Sequence, residues 1–119
     1  MDKENKILIQ SKAFAIRIIR AYQYLCDEKH EYVMSKQLLR SGTSIGANVR
    51  ESVNAQSKLD FINKLNIALK ESNETEYLFE TEFLDKNTFD SIIKDNNNIT
   101  GTLVNIIKST KQNININPD

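Results

Sequence analysis

Three scarcities bound what this chain can be. Its 119 residues include no tryptophan, one proline at position 118 and only three glycines, Gly42, Gly46 and Gly101. Proline and glycine interrupt helices more strongly than any other residues, so their rarity favours long helical segments. A single cysteine, Cys26, excludes an intramolecular disulfide and suits a reducing compartment. A single histidine, His30, leaves a zinc site short of ligands and a di-iron bundle without its two Glu-x-x-His pairs. No apolar run approaches the roughly 18–20 residues of a membrane span. The opening Met1-Asp2-Lys3-Glu4-Asn5-Lys6 also lacks the apolar stretch of a secretion signal. The expectation is a cytoplasmic protein with no membrane partner, no metal and no cofactor.

Net charge is zero, which argues against bulk electrostatic capture of nucleic acid, but the charge is unevenly distributed. Residues 1–70 carry twelve Lys and Arg against seven Asp and Glu, a net of +5, and residues 71–119 carry four against nine, a net of −5. Such segments either pair with each other inside the fold or leave two patches of opposite sign.

What the sequence does hold is helical periodicity. Advancing about 100° per residue places Ile7, Phe14, Ala15, Ile18, Tyr22, Leu25 and Cys26 on one face of a helix over about Lys3 to Lys29. Ile9 and Ile16 fall on nearly the opposite side. A second helix, about Met34 to Gln56, buries Leu38, Ile45, Val49 and Val53, with Gly42 and Gly46 on the same face. Two helical glycines each cost about 0.5–1 kcal/mol against alanine, so a close backbone approach by a neighbour is the expected compensation. Ser57 reads as the N-cap of a third helix, about Lys58 to Leu84, with Asp60 in its first turn. That helix carries Phe61, Leu65, Ala68, Leu69, Ser72, Phe79 and Phe83 on one stripe, Ile67 and Leu78 on a second, and Leu59 and Tyr77 on a third. A fourth helix, about Thr88 to Lys111, buries Phe89, Ile92, Ile99, Leu103 and Ile107, with a middle softened or kinked by Asn96-Asn97-Asn98 and Gly101. The predicted architecture is all-α: one up-down-up-down antiparallel four-helix bundle over residues 1–112 and a flexible tail over 113–119.

The chemistry-bearing residues assemble into little. Cys26, beside Tyr22 and Leu25, reads as a small core residue. His30 sits in the predicted Glu28–Tyr32 turn, without the partners of a nucleophilic triad. Glu71, Glu74, Glu76 and Glu80 crowd the third helix, which raises a magnesium-dependent hydrolase as one reading. Helix geometry points Glu76 away from Glu71 and Glu74, and solvated or ion-paired acids are the simpler account. Glu76 projects onto the stripe of Ser72, Phe79 and Phe83, so it is expected to be buried and paired. Asn48, Gly42 and Gly46 join it as candidate buried or structural positions. The Gly-x-x-x-Gly at 42–46 lacks the Gly-Lys-Ser/Thr ending of a phosphate loop and reads as packing. Two basic faces remain. Arg17 and Arg20 share a flank of the first helix with Lys3 and Lys6, while Lys36, Arg40 and Arg50 line the outer face of the second. Thr43 and Ala47 separate the latter, so a phosphate backbone could lie close to it; no aromatic residue interleaves with it for base stacking.

The run Leu39-Arg40-Ser41-Gly42-Thr43-Ser44-Ile45-Gly46-Ala47-Asn48-Val49-Arg50-Glu51 is distinctive. With Ser57-Lys58-x-Asp60-Phe61-Ile62-x-Lys64-Leu65 and Ala68-Leu69-Lys70-Glu71-x-x-Glu74-Thr75-x-Tyr77, it resembles the bacterial four helix bundle protein family. That family includes proteins encoded in intervening sequences of large-subunit ribosomal RNA, also labelled S23 ribosomal proteins, and the accessory variability determinant of diversity-generating retroelements is similar to it. Ser11-Lys12-x-Phe14-Ala15 and Ile106-Ile107-Lys108-Ser109 match more loosely. The resemblance implies a homopentamer of antiparallel four-helix protomers and no established enzyme activity. The leading expectation is a non-enzymatic homo-oligomer that binds RNA or DNA, or an enzyme that handles them, through a basic surface. A protein–protein scaffold is the alternative, and the hydrolase is third.

Overall fold

The apolar stripes of the four segments turn toward one axis in the computed structural model, which describes residues 3–115. Four helices and no strand are formed among the described residues: α1 (Lys3–Asp27), α2 (Met34–Val53), α3 (Lys58–Glu80) and α4 (Lys86–Asn115). They stand in a square, with α1 and α3 each packed against α2 and α4. Pairs of residues across three of the four seams show that these neighbours run antiparallel. Gly42 meets Ile18 and Gly46 meets Ser11 between α2 and α1. Arg40 reaches Glu71 and Glu51 reaches Lys64 between α2 and α3. Tyr24 touches Phe89, and Arg17 pairs with Asp95, between α1 and α4.

Local chemistry explains where the helices begin. Ser57 caps α3 as expected, its Oγ accepting from the Asp60 amide at 3.0 Å while Asp60 Oδ2 accepts from the Gln56 amide at 3.2 Å. Glu31 performs the same service for α2. Its carboxylate accepts from the amides of Met34 at 3.0 Å and Ser35 at 2.7 Å, satisfying first-turn donors that have no intrahelical partner. At α4, Asp85 Oδ2 accepts from the Thr88 hydroxyl at 2.6 Å.

The core is built from Phe14, Ile18, Leu38, Ile45, Leu65, Ile99 and Leu103, all with essentially no exposure. Gly42 and Gly46 are the positions that let α2 approach α1. A Cβ on Gly42 would stand 2.7 Å from Ile18 Cγ1, and one on Gly46 would stand 3.2 Å from the backbone oxygen of Ser11. The expectation of close helix contact at these glycines therefore has a named partner at each.

Several expectations are corrected. Val53 is exposed rather than buried, because α2 ends there and its last side chain lies beyond the core. Asn48 is only half-buried and donates from Nδ2 to the Ser44 carbonyl within its own helix. The buried asparagine is Asn96, fully enclosed and donating from Nδ2 to the Ser72 carbonyl at 3.1 Å. That bond, with Thr100 Oγ1 donating to Ser72 Oγ at 3.2 Å, ties the middle of α4 to α3. The helix consequently runs unbroken through Asn96-Asn97-Asn98 and Gly101, where softening was expected. It extends to Asn115, past the boundary expected at residue 112; the rest of the expected tail, 116–119, lies outside the described residues.

Candidate nucleic-acid interface

The five candidate basic residues fall on two parts of the bundle. Lys36, Arg40 and Arg50 lie along the outer face of α2, all exposed, with Thr43 and Ala47 between them. At about 1.5 Å of rise per residue, this stripe runs about 20 Å from Lys36 to Arg50. Arg17 and Arg20 stand on the other flank of α1, beside α4.

Two of the five are already engaged. Arg40 donates from Nη1 to Glu71 Oε2 at 3.2 Å and from Nη2 to Glu74 Oε2, across the α2–α3 seam. Hydrogen bonding to Glu74, and then to Glu71, holds its guanidinium above the ordinary arginine pKa. Arg17 donates to Asp95 across the α1–α4 seam. Both arginines belong to the positive first segment and their acids to the negative second one. The charge asymmetry of the sequence is therefore spent partly on pairing helices. Both arginines keep about half of the side chain in solvent, 54% for Arg40 and 40% for Arg17, so the pairs contribute little to stability but do reduce local positive potential.

Lys36, Arg50 and Arg20 make no ion pair among the described residues. Arg50 also gains a companion that helix periodicity did not single out. Lys12 on α1 lines, with Arg50, Leu8, Ala15, Thr43 and Gly46, a shallow hollow of about 210 Å³ between α1 and α2. Its floor is made of small residues and its rim carries two cations and no carboxylate. In the sequence Lys12 stood out only as part of a loosely matching motif; its place opposite Arg50 depends on how α1 and α2 register at Gly46.

The third-helix acids Glu71 and Glu74 face a partner other than one another. Arg40 occupies the facing oxygens of Glu71 and Glu74, and no group of three or more His, Cys, Asp or Glu is placed to hold an ion among the described residues. Glu76 departs from expectation. It is half-buried, with no hydrogen bond or ion pair among the described residues, and lines a hollow with Phe79, Glu80, Glu82, Lys86 and Ile93. The reason is its angular position at the edge of the core stripe, facing a seam that opens toward the α3–α4 link. His30 is exposed in the α1–α2 link with a left-handed backbone (φ 53°), and its Nδ1 lies 3.2 Å from the Tyr32 hydroxyl. Cys26 is half-buried, its Sγ 3.9 Å from the Glu31 carbonyl and 3.8 Å from Ser35 Oγ. What this surface presents to solvent is a set of exposed cationic side chains.

The outward faces of α1 and α3 carry apolar groups as well. Ile9, Ile16 and Ile19 are 60%, 43% and 41% exposed, and Leu59 and Tyr77 are 64% and 65% exposed. No helix among the described residues is long and apolar enough to cross a membrane.

Residues 3–105 match the family model of the 23S rRNA-intervening sequence protein. The fold is similar to the crystal structure of a protein of unknown function from the S23 ribosomal protein family of Bacteroides thetaiotaomicron VPI-5482. The two share 52% sequence identity and a TM-score of 0.85, over 90% of this chain and 99% of that one. No match was found among curated proteins.

Proposed function

The chain belongs to the 23S rRNA-intervening sequence protein family, and from that premise we propose that it is a non-enzymatic, cytoplasmic homo-oligomer. In this reading it binds RNA or DNA, or an enzyme that handles them, through the basic surface of α2. The observation that carries the proposal is the run of Lys36, Arg50 and Lys12, cations without carboxylate partners among the described residues, beside a small-residue floor. Phosphate oxygens can approach such a surface closely, and each neutralised phosphate releases a counterion. Self-assembly, in the pentameric form implied by the family resemblance, is supported by Ile9 and Ile16 at the centre of the outward face of α1, a position where a monomer gains nothing from isoleucine.

The test has two parts. Light scattering is expected to give a mass several times that of one chain; a clean monomer overturns the assembly. Titration of labelled RNA is expected to give micromolar or tighter binding that weakens at least tenfold in Lys12→Glu/Arg50→Glu. The same affinity in that variant removes the α2 surface from the account. The scaffold reading is favoured by Arg17 and Arg40, two candidate contacts that are paired inside the fold. It predicts oligomers that bind no nucleic acid.

A further inference from the structure

The seam between α1 and α4 opens into a hollow of about 350 Å³, near the lower end of the range that holds small ligands. Its apolar surface is supplied by Ala21, Ile92 and the rings of Tyr24 and Phe89, and its rim by Arg17 and Arg20. The two rings form a tilted pair, centroids 6.2 Å apart at 57°. Phe89 is buried, whereas Tyr24 keeps 38% of its surface in solvent. Tyr24 also lines a second hollow on its other side, where Lys29 Nζ lies over the ring at 5.9 Å but the carboxylates of Glu31 and Asp85 stand nearby. The first hollow has no carboxylate in its lining, and Arg20 there makes no ion pair among the described residues.

A partly exposed aromatic ring, an apolar floor and an uncommitted guanidinium within one hollow match the parts of an unpaired nucleotide. A base stacks on a ring and spreads over aliphatic carbon, while its phosphate takes an arginine. A base inside a duplex is already stacked and does not enter. We propose that the α1–α4 hollow is a stacking site for an unpaired base of single-stranded nucleic acid, with Tyr24 as the ring and Arg20 as the phosphate contact. This rests on the nucleic-acid reading above and gives it a preference: the basic face of α2 holds any phosphate backbone, and the α1–α4 hollow selects strands with free bases.

The chain has no tryptophan, so Tyr24→Trp introduces a single indole at the proposed stack. Its fluorescence is expected to be quenched by a single-stranded oligouridylate and unchanged by an RNA duplex. In titrations, Tyr24→Ala is expected to weaken single-strand binding roughly tenfold, as the loss of one base stack would, and to leave duplex binding within about twofold. Tyr24→Phe, which keeps the ring, should bind like the unaltered protein, and separates lost stacking from lost folding. The inference is overturned if the indole is unquenched while the strand binds, or if Tyr24→Ala affects single strand and duplex equally. Equal binding of both with loss in Lys12→Glu/Arg50→Glu would retain the proposed function and refute only the stacking site. No binding of any strand would refute both.

Discussion

Alanine at each of the three glycines should shift stability in different ways, and the structure ranks them. Alanine is better than glycine in a helix by about 1 kcal/mol, so each substitution starts from the same gain. At Gly101 a new Cβ meets nothing within 4 Å, and the full gain should appear. At Gly42 the Cβ would stand 2.7 Å from Ile18 Cγ1 and 2.9 Å from Cγ2. Those atoms leave the β-carbon of a fully buried isoleucine whose χ1 is restricted in a helix, so they have no cheap escape. Overpacking of this kind costs about 1–3 kcal/mol, which places Gly42→Ala about 1–3 kcal/mol below Gly101→Ala. Gly46→Ala should fall between them, since its 3.2 Å contact is milder but is made with the Ser11 backbone. Urea unfolding at one fixed protein concentration reads the series. With m near 2 kcal/mol/M, each kcal/mol moves the midpoint by about 0.5 M. A double-mutant cycle sharpens the test. Ile18→Ala alone should cost about 2–5 kcal/mol, but in its background Gly42→Ala should become stabilising, because the clashing atoms are gone. A Gly42→Ala protein as stable as Gly101→Ala, or no coupling to Ile18, would refute the account of the α1–α2 contact.

Other substitutions test separate parts of the fold. Asn96 is fully buried and its Oδ1 has no hydrogen-bond partner, so Asn96→Leu should raise stability by about 1 kcal/mol by removing an uncompensated polar atom; a loss in thermal unfolding would show that the amide is worth more than its orphaned oxygen costs. Glu31→Ala removes the acceptor for three amides at the start of α2 and should cost about 1–2 kcal/mol, read by the same urea titration. The hydrogen bond from Thr88, and weaker ones from the Asn87 and Thr88 amides, hold the exposed Asp85 carboxyl below its ordinary pKa. Its stabilising contribution is therefore complete above the unfolded-state pKa of about 4 and fades as pH falls through the lower folded value. Asp85→Asn should show a shallower loss of stability on acidification than the unaltered protein, and an identical acid limb would assign that carboxylate no role in capping α4.

Much of the fold was legible because helix periodicity is a local property of the chain. The inward stripes of Leu38, Ile45 and Val49, the Ser57 cap and the small-residue contact at Gly42 and Gly46 follow from spacing alone. Asn96 was misread. It falls on the stripe of Phe89, Ile92, Ile99 and Leu103, but the low helix propensity of asparagine pointed to softening, and the Ser72 carbonyl that holds its amide comes from another helix. The interface was less legible. That Arg17 and Arg40 are consumed by Asp95, Glu71 and Glu74 depends on which helices adjoin and in what register. The same registration brings Lys12 opposite Arg50 and places the Tyr24 and Phe89 rings together beside Arg20. Charge counts by segment hinted at pairing, but a one-dimensional count does not say which cations stay unpaired.

The central claim, that the cations left unpaired on α1 and α2 form a nucleic-acid surface, is tested most directly by the salt dependence of binding. For single-stranded RNA, log K falls with log salt at about −0.7 per phosphate neutralised. Contacts from Lys12, Arg20, Lys36 and Arg50 of one protomer predict a slope of about −3, flattening by about 1.4 in Lys12→Glu/Arg50→Glu, and a steeper slope where several protomers engage one strand. A slope near zero, or no binding at low salt, would contradict the account.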